Sequence, residues 1–268
     1  PVEGGLDFSG SAARVIEAAG LEPVTATQVA AALNVVLAKA RDALAELAAA
    51  GAVVELRKPD GYIGRAAADA ALARVNHLLE QRHSRAPWLL GVAITDVARE
   101  LGTSDALAGR LLTAWHEDGQ LALTGRYWHK PDQQPAYSAQ QRDFFARELR
   151  ADAANPLLPV SYDQLAQRAA AARIDGLKDA IETLLATGAL VRIGDDVYRR
   201  AQLARARELL GHLLKDGSGA TMAQVRDAFG TSRRYALPLM EYFDGIGVTM
   251  RDGDIRRLRK ITRPQPAR

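Results

Sequence analysis

Four times along the chain a glycine closes an amphipathic helix and opens a short apolar strand, at Gly51, Gly119, Gly188 and Gly247. The steps between them are 68, 69 and 59 residues. Recurrence at such a period means that one supersecondary unit is repeated, which constrains the fold more than any single motif. Before each glycine, apolar residues return at helical spacing and make one buried stripe. The stripes are Leu37, Ala40, Leu44 and Leu47; Ala108, Leu111, Leu112 and Trp115; Leu177, Ala180, Ile181 and Leu184; and Ala236, Leu239, Met240 and Phe243. Without a Cβ, glycine takes the left-handed turn that stops a helix.

A short apolar run follows each glycine: AVVEL from Ala52, QLALT from Gln120, ALVRI from Ala189 and VTM from Val248. Polar turns then bring back a second strand, with PDG at Pro59, GDD at Gly194 and RDGD at Arg251, and a turn near Gly125 in the second copy. Upstream of each stripe the pattern predicts a first helix and a short Ala-rich helix opened by Ser or Thr. Three helices closed by a β-hairpin are the winged-helix variant of the helix-turn-helix. The expected fold class is therefore mainly α with small β-hairpins (α+β), a tandem array of four winged helices at 1–65, 66–135, 136–200 and 201–262, with a tail at 263–268. Linkers are expected at 64–69, 131–140 and 198–202.

With 268 residues, several cores are expected rather than one. No apolar run approaches the roughly 20 residues of a membrane span, so no membrane partner is expected. The first ten residues lack a basic start followed by an apolar stretch, which argues against a secretory signal, and the missing Met suggests an excised fragment. No cysteine is present, which removes disulfides, thiolate metal sites and thiol nucleophiles and suits a reducing, cytoplasmic setting. No Gly-rich loop leads into Lys-Ser or Lys-Thr, so a Walker-type nucleotide cradle is absent. The five histidines, His77, His83, His116, His129 and His212, show no metal-ligand spacing, and no catalytic group can be assembled.

Charge is divided unevenly. Residues 1–200 hold 22 Lys and Arg against 25 Asp and Glu, whereas residues 201–268 hold 13 against 7. A basic end on a slightly acidic body is expected when one terminal module meets a polyanion. Within that end, Thr221 and Ser232 stand where helix caps belong. Arg233 and Arg234 then fall in a first helical turn, where the macrodipole disfavours each cation by about 0.3–1 kcal/mol. A phosphate resolves that conflict, because it accepts from both the open amides and the guanidinium groups. Tyr235 is the stacking candidate, while Tyr242 and Phe243 read as core. Pro238 is expected to kink the third helix or shorten its first segment. The hairpin adds Arg251, Arg256, Arg257, Arg259 and Lys260, and strand alternation separates Arg257 and Arg259 from Arg256 and Leu258.

The segment GTSRRYALPLMEYFDGIGVTMRDGDIRRLR from Gly230 resembles the closing signature of the bacterial selenocysteine-specific elongation factor family, SelB. The fourfold pattern agrees with that family's winged-helix region, the first three copies in outline only. The resemblance implies that the last module binds a messenger hairpin that recodes UGA, with contacts at Ser232, Arg233, Arg234, Tyr235, Arg251, Arg256, Arg257 and Arg259; Arg226 and Lys260 complete the candidate set. It also implies that GTP and magnesium belong to upstream domains, so that the fragment itself holds no cofactor and is not an enzyme. The ribosome would be met through the full-length factor, and a monomer is expected. Two other classes compete: a DNA-binding regulator, since winged helices commonly read the major groove, and a protein-interaction scaffold.

Overall fold

The computed structural model describes residues 8–259, which form four successive sets of three helices and a hairpin. The first set contains α1 (Phe8–Ala18), α2 (Ala26–Leu33), α3 (Leu37–Ala49), β1 (Val53–Leu56) and β2 (Gly61–Gly64). The second runs through α4 (Arg65–Arg85), α5 (Ile94–Leu101), α6 (Asp105–Glu117), β3 (Ala122–Thr124) and β4 (Tyr127–His129). In the third, α7 (Ala139–Glu148) and β5 (Val160–Ser161) precede α8 (Tyr162–Ala172), α9 (Leu177–Ala186), β6 (Leu190–Ile193) and β7 (Asp196–Arg199). The last has α10 (Arg200–Leu213), β8 (Ala220–Thr221), α11 (Met222–Phe229), α12 (Arg233–Gly245), β9 (Thr249–Asp252) and β10 (Ile255–Leu258). The four repeated glycines take φ values of 71°, 71°, 69° and 73°, the left-handed turn their positions call for.

Each set also has an element that the sequence pattern does not display. A short extended stretch before the second helix pairs antiparallel with the second hairpin strand: Val24 with Tyr62, Val92 with Trp128, Val160 with Val197, and Ala220 with Arg256. Two such pairs are single bridges and two are two-residue strands, too short for an alternation signal. Gly91 lies beside one bridge, and a Cβ there would stand 2.0 Å from the carbonyl oxygen of Trp128.

The stripes are buried as expected, with two exceptions. Leu37, at the start of α3, is exposed, and in α9 Thr183 is buried while Leu184 is only half covered. β2 runs directly into α4, and β7 into α10, so neither 64–69 nor 198–202 is a linker. Residues 130–138, in contrast, lie outside helix and strand. Pro238 does not shorten the helix, and α12 is continuous from Arg233 to Gly245. Pro238 sits close enough to the helix start that only the bond to the Arg234 carbonyl is lost.

The chain divides into two compact units, Pro1–Ala136 and Tyr137–Arg268, each holding two sets. Within each unit the hairpin of the first set serves two cores. Val53 faces back onto Ile16, Val29 and Leu44 of its own set. Val54, Leu56 and Ile63, on the opposite face, belong to the core of the next set with Val75, Leu111 and Trp115. Period-two alternation produces this division. In the second unit Ile193 and Tyr198 join Leu210, Val225, Leu239 and Phe243 in the same way. Arg65 and Arg200, each the first residue after such a hairpin, repeat one clamp: Nε donates to the carbonyl of Gly51 at 3.1 Å and of Gly188 at 3.0 Å. In the first unit Arg110 of α6 also donates to the carbonyls of Leu56, at 3.4 Å, and Pro59.

Two outcomes follow from this packing. Leu56→Ala removes a side chain 1% exposed in the following set's core and is expected to lower unfolding stability by about 2–5 kcal/mol. Leu123→Ala, at a position 43% exposed, should change it by less than about 0.5 kcal/mol. Urea unfolding of both variants checks the contrast, and equal effects would contradict the shared core. Gly91→Ala should fail to reach the native state, read as lost near-ultraviolet circular dichroism, because its obstacle is backbone.

Candidate nucleic-acid interface

The last set is built from two cap positions outward. Thr221 caps α11: its Oγ1 accepts from the amide of Gln224 at 3.3 Å, and the Gln224 side chain accepts from the Thr221 amide at 2.8 Å. Gly230 ends that helix in the left-handed conformation. Ser232 has the extended backbone of a cap before α12, but its side chain makes no capping hydrogen bond, which corrects the sequence expectation. Its carbonyl instead accepts from the amides of Tyr235, at 3.1 Å, and Ala236, at 2.9 Å. The first two amides of α12, on Arg233 and Arg234, have no backbone partner among the described residues.

Both arginines are exposed. Among the described residues Arg233 has neither an ion pair nor a hydrogen-bond partner. Arg234 lies 5.3 Å from the ring centroid of Tyr235, a cation–π contact. Its charge also reaches Asp196 on β7: burial raises that carboxyl above the usual range, and Arg234 acts against the rise. Tyr198 on the same strand has its phenol pushed up by burial, and then by Asp196 and Tyr235. The start of α12 thus faces the third set's hairpin with Arg234 and Tyr235, and solvent with Arg233.

The hairpin separates its arginines as strand geometry requires. Arg251 is exposed, braces the turn through Nε to the Gly253 carbonyl at 3.0 Å, and forms no ion pair among the described residues. Arg256 is 6% exposed and gives Nε to Asp244 at 2.8 Å, while the other oxygen of Asp244 accepts from Thr249 Oγ1 at 2.6 Å. Arg256, a candidate contact from the sequence, is therefore not on the open surface. It shares with Thr249 the face turned toward α12, and its charge is compensated inside. Arg257, on the opposite face, pairs with Asp252 at 2.9 Å and donates to the Gly217 carbonyl. Arg226 is exposed but held at 2.6 Å by its neighbour Asp227. Arg259 is exposed, with its guanidinium beside Gly247 and no carboxylate partner among the described residues. Lys260 lies outside the described residues.

Of the candidate arginines, Arg233, Arg234, Arg251 and Arg259 form no ion pair among the described residues, though the charge of Arg234 reaches Asp196. Ile246, Met250 and Leu258, 54%, 48% and 40% exposed, add apolar surface that the sequence reading does not identify. Their alternation is masked because Thr249 and Arg256 are the polar residues turned inward. Among the described residues, no three His, Asp or Glu side chains gather to hold a metal ion, and no helix is long and apolar enough to cross a membrane.

Fold and surface together define a tandem winged-helix protein with a basic terminal module. Residues 212–258 match the family described as elongation factor SelB, winged helix. No curated protein matches the chain. Among solved structures it is similar to the crystal structure of a bacterial selenocysteine-specific elongation factor, EF-Sec, with TM-score 0.50 and 16% identity over 78% of this chain. The chain spans 32% of that protein's length, and the likeness is one of fold. The mRNA-binding domain of elongation factor SelB from E. coli, solved in complex with SECIS RNA, matches with TM-score 0.37 and 23% identity, over 46% of this chain and all of that one.

The Arg256–Asp244 pair supplies a control for every binding experiment. Asp244→Ala leaves a buried guanidinium without its partner and is expected to destabilise the last set by about 3–5 kcal/mol. Arg251→Ala should stay within about 0.5 kcal/mol. Thermal unfolding distinguishes them, and an unchanged midpoint for Asp244→Ala would show that the pair is not structural.

Proposed function

We propose that this chain is the RNA-binding C-terminal part of a selenocysteine-specific elongation factor, and that its last winged helix holds the messenger hairpin that directs UGA recoding. The observation that carries this reading is the start of α12, where two unpartnered amides and the exposed Arg233 and Arg234 stand together in a segment of the SelB type. A phosphate satisfies donors and charge at once. Arg251 and Arg259 add exposed cations on opposite faces of the hairpin, within reach of different parts of a folded RNA backbone, with Tyr235 beside the helix start. The four modules are assigned to 1–65, 66–135, 136–200 and 201–262, the first three serving as spacer and adaptor. GTP and magnesium would be bound by upstream domains of a longer factor, which would meet the ribosome; this part acts as a cytoplasmic monomer without catalysis.

Fluorescence anisotropy with hairpin RNAs tests the reading. Replacing both Arg233 and Arg234 by Ala should weaken the best hairpin by more than about 2 kcal/mol, roughly thirtyfold, and flatten the dependence of affinity on salt. The melting curve should be retained. A duplex DNA of equal length should compete poorly; a chain that prefers the duplex is a DNA-binding regulator, and unchanged hairpin affinity in the double variant removes the helix-start site.

A further inference from the structure

A groove of about 410 Å³ lies between α10, the root of β6 and the C-terminal end of α12, away from the amides that open α12. Arg200, Leu203, Ala204 and Arg207 line it from one face of α10, and Tyr242 and Ile246 from α12. None of its lining residues is acidic. Arg200 is committed to the carbonyls of Thr187 and Gly188. Arg207 is exposed and, among the described residues, has no hydrogen-bond or ion-pair partner, while the neighbouring Glu208 is paired with Arg205 at 3.5 Å. Ile246 leaves 54% of its surface open beside the half-buried Tyr242.

The chain carries its own comparison. Aligning the two units on their clamping arginines and hairpin glycines places Arg65 on Arg200 and Gly119 on Gly247. The buried residues Ala68, Ala71, Val75 and Leu79 of α4 then fall on Leu203, Ala206, Leu210 and Leu214. In that register the first unit has Asp69, Leu72, Ala114 and Asp118 where the second has Ala204, Arg207, Tyr242 and Ile246. Two carboxylates have given way to apolar groups, a leucine to a cation and an alanine to an aromatic ring. One turn beyond Arg207, Asn76 is matched by Gly211, and a Cβ on Gly211 would meet nothing within 4 Å. Internal packing therefore does not require that helix-weakening residue. It keeps the helix surface low beside the groove.

Only the second unit thus has a cationic, carboxylate-free and partly aromatic groove at this place. A cation beside an exposed aromatic and aliphatic floor suits a ligand with an anionic group on a flat apolar body. We propose that this groove binds an unpaired nucleotide flanking the hairpin, with its phosphate on Arg207 and its base against Tyr242 and Ile246. The assignment rests on the RNA-binding reading of the last winged helix, but concerns a separate surface.

Anisotropy with the intact chain and a fluorescein-labelled ten-nucleotide oligouridylate, beside the blunt hairpin, tests it. The Arg207→Leu, Ile246→Asp double variant restores the first unit's residues and should weaken the oligonucleotide roughly tenfold while leaving the hairpin within about twofold. Ala204→Asp, at an exposed position, should produce the same loss should the double variant fold poorly. Arg233→Ala should do the reverse. Hairpin binding that ignores Arg233, with oligonucleotide binding that needs Arg207, would sink the hairpin reading and leave the groove standing. Three results would overturn the proposal: oligonucleotide affinity unchanged in the groove variants, Arg233→Ala weakening both probes alike, or a labelled Leu-Asp peptide bound through Arg207 in preference to the oligonucleotide.

Discussion

Everything else in the structure depends on a two-faced hairpin. A two-stranded sheet exposes one side to water unless something covers it, and an isolated hairpin is marginal on its own. Here the first set's hairpin is covered on both sides: Val53 packs against its own helices, and Val54, Leu56 and Ile63 against the next three. Burial of each large aliphatic side chain stabilises by about 1.5–3 kcal/mol, so neighbouring sets stabilise one another as well as themselves. Arg110, reaching from α6 to the hairpin carbonyls of Leu56 and Pro59, occupies a helix that an isolated winged helix would keep free. Repetition with this coupling makes two units out of four similar pieces of sequence.

The same constraint distinguishes the last hairpin. β6–β7 turns Ile193 and Tyr198 into the following core, whereas no further described set follows β9–β10. That hairpin keeps Met250, Arg251 and Leu258 exposed, and anchors itself through Arg256, Asp244 and Thr249 instead of a neighbour's apolar side chains. A buried guanidinium is tolerated because its carboxylate is 2.8 Å away and is itself hydrogen-bonded. The ion pair stands where the third set's hairpin has the buried Leu190 and Val197, while Arg251 and Arg259 remain exposed.

Much of this was legible in residue order, for reasons that can be named. The four glycines announce positive φ, since few other residues adopt it without strain, and all four adopt it. The stripes of α6 and α12 report burial through helical period alone, and every member of both is buried. The apolar turn of Leu37 is different: at a helix start, period does not say whether a neighbour exists to cover it. Coupling between sets was not legible, because alternation in VVEL marks two faces without saying that a second set of helices covers one of them. At the candidate surface, local chemistry placed Arg233, Arg251 and Arg259 correctly in the open. Alternation set Arg259 apart from Arg256, but it could not show that Arg256 is buried, because its partner Asp244 is twelve residues away and joined to it only by folding.

The most direct test of the account is hydrogen exchange, followed by mass spectrometry on the full chain with and without a bound blunt hairpin RNA. Slowed exchange is predicted in segments 231–235 and 249–258, with 53–64 and 190–199 unchanged because those hairpins already lie between two cores. Protection centred on 190–199, or an identical pattern with and without RNA, would contradict it.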